Sequence, residues 1–430
     1  MKILFIIPKW PSFSLWGKAT FRFPYLSVPL LAGLTPSEFD LRIVDENIDP
    51  IDFDSRPDLV AISSITPLAP RAYEIADTFR ERDVKVVLGG YHPTWLSEEA
   101  SEHADSVVIG EAEGVWAGIL EDYKSGNIKK IYRAPGLSNI SNIPVPRRDL
   151  LNRDKYLLYN TIQTTRGCPF DCEFCSVTAF HGKSFRQRPL EDVEKEIVSL
   201  EQKGWRGRYI FVVDDNIVGD RRYALKLFGL FKEYRIKWMS QASTTIAHDD
   251  GLLKSCAESG CYGLFMGFES LNQETLNRMN KRFNRVAHYE DIINKIHDHG
   301  IRIQGSFIFG YDDDDVSIFD KTLTFVQKVK LDAIIFAVLT PFPGTKIFKK
   351  LEGEGRILTK DWSFYDMDHV VFRPKGMTPE ELRIGHEIAY KEFYSLPSIG
   401  KRLFGFMRGL QIFLPMNLSL RSAWSRTIRR

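Results

Sequence analysis

Arg166-Gly-Cys168-Pro-Phe-Asp-Cys172-Glu-Phe-Cys175 holds three of the chain's five cysteines within eight residues. The spacing is C-x3-C-x2-C, directly after an expected strand at 161–165. Three thiolates on one loop can hold three irons of a cubane cluster and leave the fourth iron open. Four-cysteine electron carriers leave no such position. A structural zinc site also wants four ligands in paired spacing, and His181 lies near, but the pairing is missing. Cys256 and Cys261 come much later, beside an expected helix and strand, and read as small buried hydrophobes. So few cysteines exclude a disulfide scaffold.

Outward from this loop, residues 161–345 alternate between short β-rich and longer helical segments. Strands are expected at 161–165, 208–213, 236–241, 262–268, 302–308 and 333–338. Helices are expected at 189–203, 219–233, 249–259, 272–279, 286–299 and 314–329. Six βα units point to a (β/α)6 partial TIM barrel with its site at the C-terminal strand ends. Polar residues recur there: Asp214-Asp215-Asn216, Gln241 with Ser243, and Glu269. A strand-end acid can equally cap a helix. Recurrence at one rim, rather than any single acid, argues for an active site. The acidic run Asp312–Asp315 reads as a helix N-terminus favoured by the dipole.

Residues 1–140 alternate in the same way, with strands at Ile3–Ile7, Leu41–Val44, Leu59–Ile62, Val84–Leu88 and Ser106–Ile109. Helices between them, near 25–34, 70–82, 95–103 and 112–125, give a Rossmann-like, doubly wound parallel sheet. The loops after its strands carry Ser64 and Thr66, Gly89-Gly90-Tyr91-His92, and Gly110-Glu111. Ligands of such sheets bind at those strand ends. No G-x-G-x-x-G follows the first strand, which argues against NAD. Residues 141–160, with Pro144, Pro146 and Arg147-Arg148-Asp149, read as a linker.

Residues 346–430 read as a mostly helical extension, with Thr378 as N-cap before Pro379. Its tail has basic Lys401, Arg402, Arg408, Arg421, Arg426, Arg429 and Arg430 and no acid, interleaved with Phe404, Met407, Ile412, Phe413 and Trp424. Such a tail either lies on an anionic membrane or docks on the barrel with its charges in solvent.

Across all 430 residues, 43% are hydrophobic and 27% charged, which excludes a disordered chain, a collagen and a polytopic membrane protein. A net charge of +2 argues for no nucleic-acid partner. The apolar run Ile3–Ile7 is too short for a signal peptide, and no run approaches a membrane span. A cytoplasmic location is expected, with peripheral contact on the inner membrane face through the tail as an addition.

The cysteine loop, with the aromatic Phe174 before its third cysteine, resembles that of the radical S-adenosylmethionine (SAM) superfamily. The resemblance implies a 4Fe–4S cluster on catalytic Cys168, Cys172 and Cys175, its open iron chelating SAM. It also implies SAM contacts from Phe174, Asp214, Asp215, Asn216, Gln241, Ser243 and Glu269. One electron then splits SAM to a 5′-deoxyadenosyl radical. The first 140 residues resemble cobalamin-binding domains that precede many radical SAM domains. That resemblance implies cobalamin contacts from Ser64, Thr66, Gly89, Gly90, His92, Gly110 and Glu111.

Together these point to a cobalamin-dependent radical SAM methyltransferase, similar to hopanoid methylases. The expected substrate is an unactivated carbon of a small molecule or lipid, and the expected electron donor is a low-potential flavodoxin or ferredoxin. Cyclisation, C–C coupling or another rearrangement without methyl transfer is the alternative. A non-catalytic iron–sulfur or cobalamin sensor would leave the open iron without purpose.

The D-x-H-x-x-G motif that supplies histidine to cobalt in related cobalamin domains is absent from the chain. The expected result is cobalamin without a protein histidine on cobalt. Electron paramagnetic resonance of the Co(II) form checks this: no nitrogen superhyperfine splitting from an imidazole is expected.

Overall fold

The computed structural model describes residues 1–200, 207–405 and 407–427. The chain folds as two compact units. One comprises Met1–Gly17, Pro24–Tyr156 and Asp361–Asp366; the other comprises Lys18–Phe23, Leu157–Lys360 and Met367–Arg430.

In the first unit, strands β1 (Lys2–Ile7), β2 (Asp40–Asp45), β3 (Leu59–Ser63), β4 (Lys85–Gly89), β5 (Ser106–Ile109) and β6 (Ile131–Arg133) form one sheet. Its order is β2-β1-β3-β4-β5-β6, and every pairing is parallel. The central strands read as continuous apolar runs because helices cover both faces. Ile6, Val60, Ile62, Val86 and Leu88 lie fully inside, packed with Ile75 and Phe79 of the helix Ala69–Arg80. Strand order reverses at β1, whose neighbours are β2 and β3, giving the doubly wound form expected. The edge strand β6 was not expected from sequence: three residues with only Tyr132 buried give no readable period.

The segment expected as a linker belongs largely to this unit. The Arg147 N–H donates to the Pro29 carbonyl at 2.9 Å, Arg148 is buried, and the Tyr156 hydroxyl donates to Asp45 at 2.8 Å. Residues 361–366, expected within the extension, also belong here. The Trp362 indole N–H donates to both Glu99 oxygens at 3.0 and 3.1 Å. Its ring meets His92 edge-on at 5.4 Å. Phe364 stacks on Phe13 at 4.9 Å, and the Trp16 indole N–H donates to the Asp366 carbonyl at 3.0 Å.

In the second unit, strands β7 (Asn160–Ile162), β8 (Thr165–Gly167), β9 (Phe185–Gln187), β10 (Tyr209–Val212), β11 (Lys237–Gln241), β12 (Cys261–Glu269), β13 (Arg302–Phe309) and β14 (Ala333–Val338) build two sheets. Six of them pair in the order β14-β13-β12-β11-β10-β7, all parallel. Neighbours in space are neighbours in sequence, and among the described residues β7 and β14 do not pair. This is an open, partial barrel. Strands β8 and β9 form a separate antiparallel pair. Helices Arg221–Glu233 and Asp250–Glu258 start where the Asp220 and Asp249 side chains accept backbone N–H groups. The helix expected at 189–203 spans Leu190–Ser199, and residues 201–203 lie outside the described residues.

Of the four acids of 312–315, one meets the helix N-terminus: Asp315 accepts the Ser317 N–H at 2.8 Å, and the other three are engaged elsewhere. The helix begins at Ser317. Asp312 pairs with Arg356 and Lys350. Despite partial burial, those partners hold its carboxyl down at about 2. Asp314 accepts the Gly310 and Tyr311 N–H groups, both at 3.0 Å, in the turn after β13. Burial pushes it up to about 7.

In the extension, Thr378 and Glu381 form a reciprocal capping box on the helix Pro379–Phe393. The last helix, Leu410–Thr427, docks within its own unit. Ile412, Phe413, Met416, Leu420 and Trp424 are buried, and Trp424 stacks on Tyr390 at 4.8 Å. The apolar face that would enter a bilayer therefore points inward. Phe404 and Met407 are exposed on the connection before it. Among the described residues no helix is long and apolar enough to cross a membrane.

Trp362→Ala is expected to destabilise the first unit by about 3 kcal/mol through the cavity and the lost Glu99 bonds. Trp362→Phe, which loses the bonds and part of the ring volume, is expected to cost about 2 kcal/mol. Urea unfolding with hydrogen exchange of Ala69–Arg80 measures both; equal stability of Trp362→Ala and wild type would contradict the packing described.

Candidate active site

The cysteine loop is fixed at both ends by the β8–β9 pair. Gly167, immediately before Cys168, has φ +86°, and a Cβ there would lie 2.3 Å from the Ser184 carbonyl oxygen. Only glycine fits that left-handed, crowded position. Its N–H donates to Asp215 at 2.8 Å, which ties the loop to the end of β10. The Glu173 N–H donates to the Met279 carbonyl at 3.0 Å, and the Ile347 N–H donates to the Glu173 carbonyl at 3.2 Å.

Cys168, Cys172 and Cys175 are free, partly exposed thiols. They line one cavity of about 360 Å³ at the C-terminal mouth of the barrel. Burial raises all three thiols, Cys172 to about 12. Metal coordination overrides this, because a bound cation deprotonates the thiol. Among the described residues no three His, Cys, Asp or Glu side chains converge on a single ion. A cubane makes no such demand: each thiolate takes its own iron. Three thiols on one wall, with open volume beside them, fit a cluster that keeps one iron for a ligand.

Most residues expected to meet SAM share that cavity: Phe174, Asp215, Asn216, Gln241, Ser243 and Glu269. The Asn216 side-chain oxygen accepts the Ser243 N–H at 3.0 Å, and its amide nitrogen is buried without a partner. Asp214 is the departure. It is fully buried, accepts the Thr164 N–H at 2.6 Å, and also bonds the Thr164 hydroxyl. It anchors the end of β7 rather than facing the cavity. Burial pushes its carboxyl up to about 6 against those bonds.

Lys281 was not expected from sequence. It follows the short helix Gln273–Arg278, and nothing in its local pattern points inward. Yet its Nζ lies 2.5 Å from Glu269 Oε1, in the same cavity as the cysteines. Apolar side chains line the cavity too, with Ile308, Ile335, Ala337, Leu339, Phe342 and Met367 from β13, β14 and beyond. These side chains were also missed, because apolar strand ends look the same whether they face a core or a cavity.

In the first unit, the residues expected to meet cobalamin gather at the ends of β3, β4 and β5. Gly90 has φ +106°, and a Cβ there would come within 2.5 Å of the Ser64 carbonyl oxygen. The Ser64 hydroxyl donates to the Ile65 carbonyl at 3.0 Å. Thr66 is buried at the start of a short 3₁₀ turn. Small residues and close backbone on this rim suit a flat macrocycle. His92 is fully buried, with Nε2 3.2 Å from Glu99. Glu111 accepts the Ser138 N–H at 2.6 Å. Both are engaged inside the unit.

Comparison with known proteins agrees with this geometry. A model of the Radical SAM superfamily matches residues 162–326, and one of the B12 binding domain matches residues 17–120. Bacteriochlorophyllide d C-12(1)-methyltransferase of Chlorobaculum tepidum is 34% identical over 388 residues, covering 88% of this chain and 84% of that protein. The chain belongs to the cobalamin-dependent radical SAM methylase family. Its cofactors are accordingly a 4Fe–4S cluster, SAM and cobalamin. Bacteriochlorophyllide d C-8(2)-methyltransferase of the same organism is 31% identical, over 87% of this chain and 86% of that one. Hopanoid methylases and magnesium-protoporphyrin cyclases are similar at 24–25% identity. The cobalamin-dependent radical enzyme OxsB shares the fold, with a TM-score of 0.69 at 13% identity over 100% of this chain and 80% of that one.

Asp214 gives this family member a pH-dependent anchor. Its folded-state pKa, about 6, lies above the ordinary 3.8. Folded protein therefore keeps the proton that unfolded chain releases. Stability is full below about 4 and falls by roughly 3 kcal/mol as pH rises to 6, then levels. Asp214→Asn is expected to remove that slope, as measured by urea unfolding between pH 4 and 7.

Proposed function

We propose that the chain methylates an unactivated carbon of a tetrapyrrole-class substrate, with the cluster on Cys168, Cys172 and Cys175. Cluster, SAM and cobalamin supply one-electron chemistry and a methyl group that no side chain provides. The chain's own residues place and shield them. Asp215 holds the cysteine loop through the Gly167 N–H. Asn216, Gln241, Ser243 and Glu269 offer polar atoms to the amino-acid and ribose parts of SAM. Ser64, Thr66, Gly89, Gly90 and Gly110 form the cobalamin rim, with His92 and Glu111 supporting it from inside. The apolar side chains Ile308, Ile335, Ala337 and Leu339 would exclude water from the site and pack against an apolar substrate, which helps to orient it.

The observation that carries the reading is one cavity lined together by the three thiols, by polar strand-end side chains and by apolar side chains of β13 and β14. The substrate class follows the two bacteriochlorophyllide methyltransferases, which are more similar to this chain than the hopanoid methylases are. A rigid, planar, mostly apolar macrocycle suits the same chemistry as the lipid first expected. The reductant is a low-potential flavodoxin or ferredoxin, in the cytoplasm. The tail helix buries its apolar face within its own unit, which supports docking rather than peripheral membrane contact.

The test is anaerobic reconstitution with iron, sulfide and hydroxocobalamin, then turnover with methyl-deuterated SAM and a chlorin or a hopanoid. Label is expected in the chlorin. Cys172→Ala is expected to keep cobalamin and lose deoxyadenosine formation at least a hundredfold. Deoxyadenosine without label in any product would favour cyclisation or coupling instead.

A further inference from the structure

Lys281 is a charged side chain held almost out of solvent, beside three thiols. Its Nζ sits 2.5 Å from Glu269 Oε1. It also lies 5.8 Å from the ring centroid of Phe174 and 5.6 Å from that of Phe283. Phe283 in turn stacks on Phe170 at 3.8 Å. Of the two rings over the ammonium, Phe174 belongs to the cysteine loop, and Phe283 is held to that loop through its stack on Phe170.

The cage has a direction. Glu269 adopts a left-handed backbone, φ +68°, a conformation uncommon for a side chain of its size. Gly267 leaves the space the pair fills: a Cβ there would stand 2.1 Å from Glu269 Oε1 and 2.6 Å from Lys281 Nζ. Glu269 Oε2 is buried without a partner. The ammonium lies over the ring of Phe174, the residue before Cys175, which puts the positive member of the pair at the cysteine loop.

We propose that Lys281 is a positioning residue that sets the charge environment of the cluster: its caged ammonium, held by Glu269, favours the one-electron-reduced state. The inference rests on the cluster being bound by Cys168, Cys172 and Cys175. Reduction adds one negative charge to the cluster. A nearby buried cation offsets that charge, and a buried anion opposes it, so net charge around a cluster moves its potential.

The test is a redox titration of the reconstituted full chain without SAM, followed by electron paramagnetic resonance, with iron and sulfide counted per chain. Lys281→Met is expected to shift the midpoint to lower potential, so that about tenfold less cluster is reduced at a fixed potential near the wild-type tail. Glu269→Gln is expected to shift it the other way. Lys281→Arg is expected to keep it near wild type. Opposite shifts at unchanged iron content are a signature that a merely structural lysine would not give. An unmoved midpoint in Lys281→Met at full iron content overturns the proposal. So does loss of the cluster in all three variants, which would make Lys281 part of the loop's scaffold. A wild-type chain that takes up no cluster sinks the cluster assignment itself, and is seen before any variant is made.

Discussion

Every strand of each six-stranded sheet runs in one direction, and the rest of the molecule follows from that. Parallel strands cannot be joined by tight turns, so each needs a crossover that returns the chain to the starting edge; most hold a helix, and residues 46–58 between β2 and β3 hold none. The C-terminal ends then collect at one rim in each unit. In the second unit that rim receives Asp215, Gln241 and Glu269 from β10, β11 and β12. The three thiols arrive from the loop after β8, which Gly167 and Asp215 tie to the same rim. In the first unit the same constraint brings Ser64, Gly90 and Gly110 together. No long-range recognition between these residues is needed, since direction alone assembles them.

Direction collects charges as well, and burial forces each into a particular arrangement. Asp214 and Asp215 are adjacent, yet alternate side-chain direction sends one to Thr164 inside and the other to the loop. Asp312 to Asp315 are consecutive, but one meets arginine and lysine, one meets Arg278, one closes a turn and one bonds Ser317. Acids with the same sequence signature thus carry pKa values from about 2 to about 7. The difference comes from how many cations each meets and how much water each loses.

The architecture was legible in the sequence because long β-branched runs alternating with amphipathic helices have few other solutions. The cysteine spacing likewise pointed to its chemistry directly. What was not legible depended on contacts distant in sequence. Strand β6 is too short to show a period. Asp214 and Asp215 look alike until the position of Thr164 is known. Lys281 sits on an ordinary polar turn, and its inward path is set by Glu269 and by two aromatic rings around it. The tail composition admitted both a membrane contact and a docked helix; the docking is set by Tyr390 and the interior of its own unit, which no tail residue encodes.

The six residues around Trp362 have one more consequence. The backbone passes from one unit to the other five times, and the last piece of the first unit comes from residues 361–366. During translation, the N-terminal unit therefore waits for the whole barrel to be synthesised before Glu99 finds its indole partner. Until then the buried ring of His92 lacks part of its cover. Evolution faces the same arrangement: a recombination event near residue 156 would transplant an unfinished unit. A transplant of this unit would have to carry a distant hexapeptide with it, or leave Glu99 without its indole partner.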